Sequence, residues 1–181
     1  MVNLYREDIK KNEVLDWQGV HLFRFVGSSC SQKARIVLNL KGVDWESHPL
    51  NFLKAENYTP WYLGINPRGL MPTLVQDGDV HIESNGIISY LDEASTTPRL
   101  IPDNQNLQVQ AHLQDEYRLH FDLRTLAFGF VLARFLAGKP PEALDAAEGH
   151  VEGQHDDHKY AQLAFWRGLA QHGIPPEQAS A

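Results

Sequence analysis

A largely apolar run over residues 20–26 predicts a β-strand, and apolar residues then recur at helical spacing. Ser28 or Ser29 can begin this helix by capping a backbone N–H group, and Gly42 can end it in the left-handed conformation. Residues 44–49 read as a second strand, so the β-α-β order implies a parallel pair with a right-handed crossover. The apolar face of the predicted helix consists of Cys30, Ala34, Val37 and Leu38.

The next segment predicts a hairpin and a second helix. Residues 66–75 read as a strand that contains Pro72, and an X-Pro bond at a strand entrance is one of the few places where a cis peptide is plausible. Residues 76–79 form a turn signal before the following strand. Ser84 is positioned as the N-cap of a helix. The apolar face of that helix consists of Ile87, Ile88, Leu91 and Ala94.

The remainder of the chain predicts helices. A long helix spans residues 104–137 with a bend at Gly129, and residues 142–153 and 158–172 contain two further helical stretches. We therefore divide the chain into four segments: a polar lead-in at 1–19, an α/β domain at 20–95, a linker at 96–105 and a helical domain at 106–181.

Composition narrows the class of protein. The 181 residues include 23 acidic and 16 basic side chains, and this net charge of −7 argues against a nucleic-acid partner. A single cysteine excludes an internal disulfide framework and fits a reducing compartment. The first residues lack a targeting pattern, and the most apolar stretch, 126–137, is shorter than a membrane helix. We expect a cytoplasmic protein with no membrane association.

The candidate catalytic residues lie at the junction of the first predicted strand and the first predicted helix. Ser28-Ser29-Cys30-Ser31 places three hydroxyls and a thiol where backbone N–H groups and the helix dipole favour an anion. Lowering a thiol pKa from about 8.5 to about 6.5 requires roughly 2.7 kcal/mol of thiolate stabilisation. A hydroxyl that donates to an anion supplies about 1.5 to 3 kcal/mol. One serine in this turn therefore suffices to hold a thiolate.

These motifs, in this order, resemble the glutathione transferase family. Ser28-Ser29-Cys30-Ser31 is similar to the serine motif of its zeta-like classes, Asn66-Pro67 with Met71-Pro72-Thr73-Leu74 to its cis-proline strand, and Glu83-Ser84 to its γ-glutamyl clamp. The resemblance covers residues 20 to about 102. It implies a thioredoxin-like α/β N-terminal domain that binds glutathione, followed by an all-α C-terminal domain.

The resemblance also implies roles for individual residues. Ser28 would donate a hydrogen bond to the glutathione sulfur, with Ser29 and Cys30 close to that sulfur. Met71, ahead of a cis Pro72, would pair with the ligand peptide in the manner of a strand. Glu83 and Ser84 would hold the γ-glutamyl group of glutathione. Lys54 and Arg68 could reach its glycyl carboxylate, or could be solvated loop residues.

We expect a glutathione transferase that attacks a small electrophile, by conjugation, isomerisation or ether cleavage, in a detoxification role. The family usually forms homodimers, and we expect one here. The predicted helical domain is shorter than in the family, so the resemblance supports the glutathione pocket more fully than the electrophile pocket. Leu70 stands where many relatives carry a polar side chain, so affinity for glutathione would be modest.

Other readings of the same residues stay open. Ser28 could serve only as an N-cap, and Glu83-Ser84 only as a cap of the next helix. Cys30 could be a buried core residue, or the nucleophile of a thiol-disulfide oxidoreductase. The chain could also be a non-catalytic interaction protein with this fold.

The spacing of the histidines does not predict a metal site. His150, His155 and His158 match no strong ligand spacing and fit a polar loop, and His21 reads as a strand side chain without chemistry. A set of long-helix residues could line an electrophile pocket or simply pack in the core: Tyr117, Phe121 and Arg124.

Overall fold

The computed structural model describes residues 2–94, 98–126, 141–148 and 167–168. The strands are β1 (Val2–Asn3), β2 (Val20–Arg24), β3 (Trp45–Pro49), β4 (Thr73–Gln76) and β5 (Asp79–Ile82). The helices are α1 (Ser29–Leu40), α2 (Pro60–Leu63), α3 (Ser84–Ala94), α4 (Asn106–Leu126) and α5 (Pro141–Glu148). Short 3-10 turns lie among residues 6–16, 52–58 and 103–105.

The five strands form one mixed sheet in the order β1-β5-β4-β2-β3. β2 and β3 are parallel, with His21 opposite Glu46 and Phe23 opposite His48. This pairing confirms the β-α-β unit expected from the sequence. β4 runs antiparallel to β2, and β5 antiparallel to β4. The carboxyl end of β2 and the entrance to β4 therefore lie at the same edge of the sheet.

The hairpin and the cis-proline are both confirmed. The Met71-Pro72 peptide bond is cis. Asp77 and Gly78 adopt φ angles of 50° and 85° between β4 and β5, as a tight hairpin turn requires. A Cβ atom on Gly78 would lie 2.2 Å from the Leu15 carbonyl oxygen, so the turn accepts only glycine at this position.

Helix α1 begins where the sequence predicts. The Ser28 hydroxyl oxygen accepts the Ser31 N–H, so Ser28 is the N-cap, and Gly42 ends the segment with a φ of +64°. The interpretation of Cys30 as a buried core residue is not confirmed, because Cys30 is half-buried, whereas the next residue, Ser31, is completely buried. Between the sheet and helices α1 and α3 lies a core of Leu22, Ala34, Leu38, Leu74, Ile87 and Leu91.

Residues 2–17, to which the sequence analysis assigned no role, pack against the opposite face of the sheet. β1 extends the sheet beside β5, and the Gly64 carbonyl accepts the N–H groups of Lys10 and Lys11 at 2.7 and 2.8 Å. The core on this face contains Ile9, Val14, Phe23, Tyr62, Ile65, Val75 and Val80. Because this segment supplies core residues, removing it would expose apolar surface of the sheet. The predicted domain boundaries remain a prediction.

Helix α3 differs from its prediction at its first residue. The helix begins at Ser84 itself, so the preceding position belongs to Glu83, which has a φ of 68°. Asp92 on α3 forms a buried ion pair with Lys41 at 2.6 Å and accepts the N–H groups of Leu100 and Ile101. These bonds outweigh the effect of burial, which alone would raise the Asp92 pKa, and hold that pKa below its usual value. The carboxylate therefore anchors the segment that follows α3.

The described helices beyond α3 agree in part with the sequence. α4 covers residues 106–126 of the long helix predicted over 104–137, and α5 covers the start of the stretch predicted over 142–153. The remaining part of the long helix, Gly129 and most of 158–172 fall outside the described residues. Among the helices that the structure describes, none is long and apolar enough to cross a membrane.

Candidate functional site

Ser28 lies in the turn between β2 and α1 with its hydroxyl partly exposed. Its backbone N–H donates to the Phe25 carbonyl at 3.2 Å, and its Oγ accepts the Ser31 N–H at 3.2 Å. Among the described residues, no acceptor takes the hydroxyl proton of Ser28. The capping bond therefore fixes the oxygen and leaves the proton available to an anion. Ser29, the next residue, is exposed.

Cys30 lies one residue into α1 and faces α4. Its Sγ is 3.6 Å from Nε2 of His120, a residue 90 positions later in the chain. Partial burial opposes ionisation, but the hydrogen bond and charge of His120, together with Ser84 and Lys33, outweigh it and lower the pKa of the Cys30 thiol. Cys30 is therefore a thiol with increased thiolate character, near the first turns of both α1 and α3.

A polar bridge holds α4 against the first two long helices. Lys33 Nζ on α1 donates to Glu116 Oε2 at 2.8 Å and to Asn85 Oδ1 at 2.7 Å. Asn85 Nδ2 on α3 donates in turn to the Leu113 carbonyl at 2.8 Å. Burial raises the Glu116 pKa, but the bonds from Lys33 and Asn85 outweigh it, and the pKa is lowered. The bridge fixes the face of α4 that carries His120.

Glu83 adopts an unusual backbone conformation beside the start of α3. Its φ of 68° lies in the left-handed region, where a non-glycine residue is strained, and such strain occurs often at ligand sites. Its carboxylate accepts a hydrogen bond from Arg68 Nη1 at 2.6 Å. The sequence offered Arg68 for the glycyl carboxylate of glutathione, whereas the structure pairs it with Glu83. The pair orients the Glu83 side chain at the sheet edge.

The loop before β4 is held by its buried polar neighbours. Tyr62 Oη and Asn66 Nδ2 donate to the Leu70 carbonyl at 2.5 and 3.1 Å. Complete burial raises the pKa of Tyr62 far above its usual value, so the phenol remains a donor. In the described part of the chain, the backbone N–H and carbonyl of the adjacent Met71 have no hydrogen-bond partner. These groups are thus available to an extended peptide.

The structure brings most of the predicted site residues to one edge of the sheet. Ser28, Ser29 and Cys30 follow β2, Met71 and Pro72 precede β4, and Glu83 and Ser84 follow β5. Ser84 lies close enough to Cys30 to help lower the pKa of its thiol. Lys54 follows β3 in a 3-10 turn and is exposed, and no contact in the described residues joins its ammonium group to the others. The assigned roles remain predictions.

Sequence reasoning missed the residues of α4 that face Cys30. Glu116 and His120 are four positions apart, so both lie on one face of the helix, but this spacing is common on exposed helices and is a weak signal. Tyr117 is half-buried on the same helix, whereas the side chains of Phe121 and Arg124 fall outside the described residues. His150, His155 and His158 fall outside them as well.

Comparison with known proteins finds similarity in the first part of the chain. A family model for the glutathione S-transferase N-terminal domain matches residues 27–94. A zeta-class glutathione S-transferase from Euphorbia esula is 46% identical over 81 residues, which cover 45% of this chain and 36% of that protein. A maleylacetoacetate isomerase from Mus musculus is 38% identical over 85 residues, covering 46% and 39% respectively.

A solved structure extends the likeness to the fold. The β-etherase LigF from Sphingobium sp. strain SYK-6 matches with a TM-score of 0.70 at 23% identity, over 90% of this chain and 67% of that chain. The sequence matches span well under two thirds of the curated relatives. The family model, at residues 27–94, includes the serine turn, the cis-proline and the Glu83-Ser84 pair. Residues 27–94 of this chain thus match the N-terminal domain of glutathione S-transferases.

Proposed function

We propose that this protein is a glutathione transferase in which the Ser28 hydroxyl donates a hydrogen bond to the glutathione sulfur and keeps it anionic. The observation that carries the proposal is the arrangement at Ser28, whose oxygen is held by the Ser31 N–H while its proton has no acceptor among the described residues. Ser28 needs no general base because it remains protonated throughout. The activated sulfur attacks an electrophilic carbon.

The remaining contacts of glutathione follow from the same edge of the sheet. The open backbone groups of Met71 pair with the ligand's cysteinyl peptide as an added strand. The Glu83 carboxylate, oriented by Arg68, takes the γ-glutamyl ammonium, and the first turn of α3 at Ser84 takes the γ-glutamyl carboxylate. Exposed Lys54 is the candidate for the glycyl carboxylate. Glutathione is thus the co-substrate, and a small electrophile is its partner.

For the type of reaction, the proposal includes three possibilities. One matched relative is named an isomerase and a structural neighbour an etherase, so conjugation, isomerisation and ether cleavage are all to be assayed. A thiolate that adds reversibly to a conjugated double bond gives isomerisation, and one that displaces a leaving group gives conjugation or ether cleavage. We also propose a cytoplasmic homodimer, which light scattering after gel filtration tests by mass.

The kinetics of Ser28 variants test the proposal. Ser28→Ala removes the donor, and we expect kcat/KM for glutathione with a generic aromatic electrophile to fall by roughly 10- to 100-fold, matching the loss of about 1.5 to 3 kcal/mol. Ser29→Ala is the matched control, since it removes an exposed hydroxyl from the same turn. Ser28→Thr should retain most of the activity. Unchanged turnover in Ser28→Ala would reject the assignment.

A second candidate, thiol-disulfide exchange through Cys30, is favoured by the contact between Cys30 and His120. In this reaction the Cys30 thiolate attacks a disulfide that contains glutathione, forms a mixed disulfide and releases the other thiolate. Cys30→Ser would then abolish exchange, whereas Ser28→Ala would spare it. The reverse pattern supports the transferase. If calorimetry detects no binding of glutathione at millimolar concentration, the chain is instead a non-catalytic protein with this fold.

A further inference from the structure

Two histidines and a glutamate meet on the face of the sheet opposite α1, at the start of β2. His21 on β2 lies opposite Glu46 on β3, and His48 follows two residues later on the same face of β3. The sequence suggested no chemistry for His21, and no part of the proposed glutathione site uses these side chains. β3 is the outermost strand of the sheet, so the cluster links this strand to its neighbour, β2.

The separations between the three side chains suit a single metal ion. His21 Nδ1 is 3.0 Å from His48 Nε2, and each of these nitrogens is 3.6 Å from one oxygen of the Glu46 carboxylate. Donor atoms at 2.0–2.2 Å around a tetrahedral Zn²⁺ lie roughly 3.3 to 3.6 Å apart. Shifts of a few tenths of an ångström, which side-chain rotation supplies, therefore bring all three donors into coordination.

The hydrogen bonds also set the correct lone pair on His21. Its Nε2 lies 2.9 Å from the Gln18 carbonyl oxygen, which can only accept, so Nε2 carries the proton and Nδ1 presents a lone pair to the cluster. A metal-binding histidine ordinarily donates its other N–H to such a carbonyl. In the metal-free state His48 Nε2 donates to this lone pair, and metal binding requires only that the proton move to Nδ1 of His48.

Aromatic packing holds both rings in place. The Trp17 ring lies 4.6 Å from the His21 ring and 4.9 Å from the His48 ring, between centroids, and Phe23 packs on His48 at 4.8 Å. The imidazoles are mostly covered, with side-chain exposures of 12% and 22%, whereas the Glu46 side chain is 67% exposed. The nitrogens are thus preorganised, and an ion can enter from the carboxylate side.

We propose that His21, Glu46 and His48 form a binding site for a divalent transition-metal ion, with Zn²⁺ the best match. Two imidazoles and one carboxylate are ligands that Zn²⁺ prefers, and they leave a fourth position for water. The ion fastens edge strand β3 to β2 and stabilises the sheet. This site is separate from Ser28, so its occupancy leaves glutathione chemistry unchanged.

The test is a metal titration of the full chain after treatment with a chelator and in the absence of glutathione. Calorimetry should show one equivalent of Zn²⁺ bound, and the melting temperature should rise with the ion. Co²⁺ should give the visible absorption of a tetrahedral site. It should also quench tryptophan fluorescence, and Trp17→Phe should remove part of that quenching.

Variants locate the ion. His48→Phe keeps an aromatic ring beside Trp17 but removes a ligand, and Glu46→Gln changes an exposed side chain that the fold does not need. Each should weaken Zn²⁺ binding by at least about tenfold. The matched controls are His112→Phe, an exposed histidine on α4, and the double change His155→Ala with His158→Ala, and both should bind as the wild type does.

Two outcomes would overturn the proposal. The first is a wild-type chain that binds no Zn²⁺ in the titration. The second is Zn²⁺ affinity that stays at the wild-type value in both Glu46→Gln and His48→Phe, or that is lost in the His155 and His158 variant. In either case the ion would lie elsewhere. Circular dichroism establishes that each variant is folded, and if His48→Phe is not, Glu46→Gln alone decides.

Discussion

Strand β2 carries a different kind of site at each end. At its carboxyl end the chain turns into α1, where backbone N–H groups, the Ser28 hydroxyl and the helix dipole all favour a negative charge. At its amino end the His21 lone pair meets His48 and the Glu46 carboxylate, which favour a positive charge. One strand thus separates a proposed thiolate site from a proposed cation site.

The comparison shows how differently the two sites are encoded. The anion site arises from residues that are adjacent in sequence, since the N-cap and the first helical turn form together. The cation site arises from the register of two strands, and its histidines are 27 positions apart. We therefore expect the two sites to function independently, so that a substitution at one end of β2 leaves the site at the other end unchanged.

The largest expected effect is at the carboxyl end, in Ser28→Asp. Aspartate caps a helix as well as serine does, so the free energy of unfolding should change by less than about 0.5 kcal/mol. The carboxylate cannot donate to a thiolate and repels it, so kcat/KM for glutathione should fall by roughly 100-fold or more. His48→Phe, at the opposite end, should keep kcat/KM within about twofold. A large loss in His48→Phe would break the separation of the two sites.

The next effect concerns Cys30 and its pH dependence. His120 holds the Cys30 pKa down, so His120→Asn should raise it, and the midpoint of the alkylation rate against pH should move upward. At neutral pH the thiolate fraction falls, and the rate should drop by up to about tenfold, whereas the two proteins should converge at high pH. His112→Asn, an exposed change on the same helix, is the control. Identical pH profiles would show that the histidine does not act on the thiol.

A smaller effect is expected for Glu83→Gln. Loss of the charge that Arg68 orients should raise KM for glutathione by roughly 3- to 10-fold, because one charged contact with the ammonium is lost. The turnover number should remain within about twofold, since the residue does not touch the sulfur. Steady-state kinetics measures both. Glu93→Gln, an exposed change on α3, should alter neither, and a fall in turnover with KM unchanged would exclude a role in binding.

The smallest effect belongs to Glu46→Gln in metal-free buffer. The carboxylate is exposed, so its contacts with the two histidines should contribute less than about 1 kcal/mol to the free energy of unfolding. Denaturant titration without metal and with Zn²⁺ separates the roles, because the wild type should gain more stability from the ion than the variant does. An equal gain in both proteins would remove Glu46 from the site.

Local signals in the sequence predicted much of the first domain. The Ser28 cap, the end of α1 at Gly42, the Met71-Pro72 cis bond and the following hairpin each depend on a few neighbouring residues. The sequence analysis placed the N-cap at Ser84, whereas α3 begins at Ser84 and Glu83 is the residue before it. Glu83 adopts a left-handed conformation that the sequence does not indicate. Such strain is favoured by the surrounding structure and not by local propensity.

Contacts between distant residues were not predictable in the same way. The pairing of Cys30 with His120 needs the position of α4, and the pairing of Arg68 with Glu83 needs the loop before β4. Residues 2–17 read as polar, yet Ile9 and Val14 supply core contacts because the segment wraps the sheet. Hydrophobic periodicity finds long elements but not isolated anchors in turns.

The most direct test is to titrate the sulfur of bound glutathione. In a Cys30→Ser background, which removes the protein's own thiol, the ultraviolet absorbance of the bound thiolate is followed against pH. The account predicts a pKa below the value of about 8.5 for a free thiol, by up to about 2 units, and a return towards 8.5 when Ser28→Ala is added. Bound glutathione that titrates as it does in solution, or a lowered pKa that persists without the Ser28 hydroxyl, would contradict it.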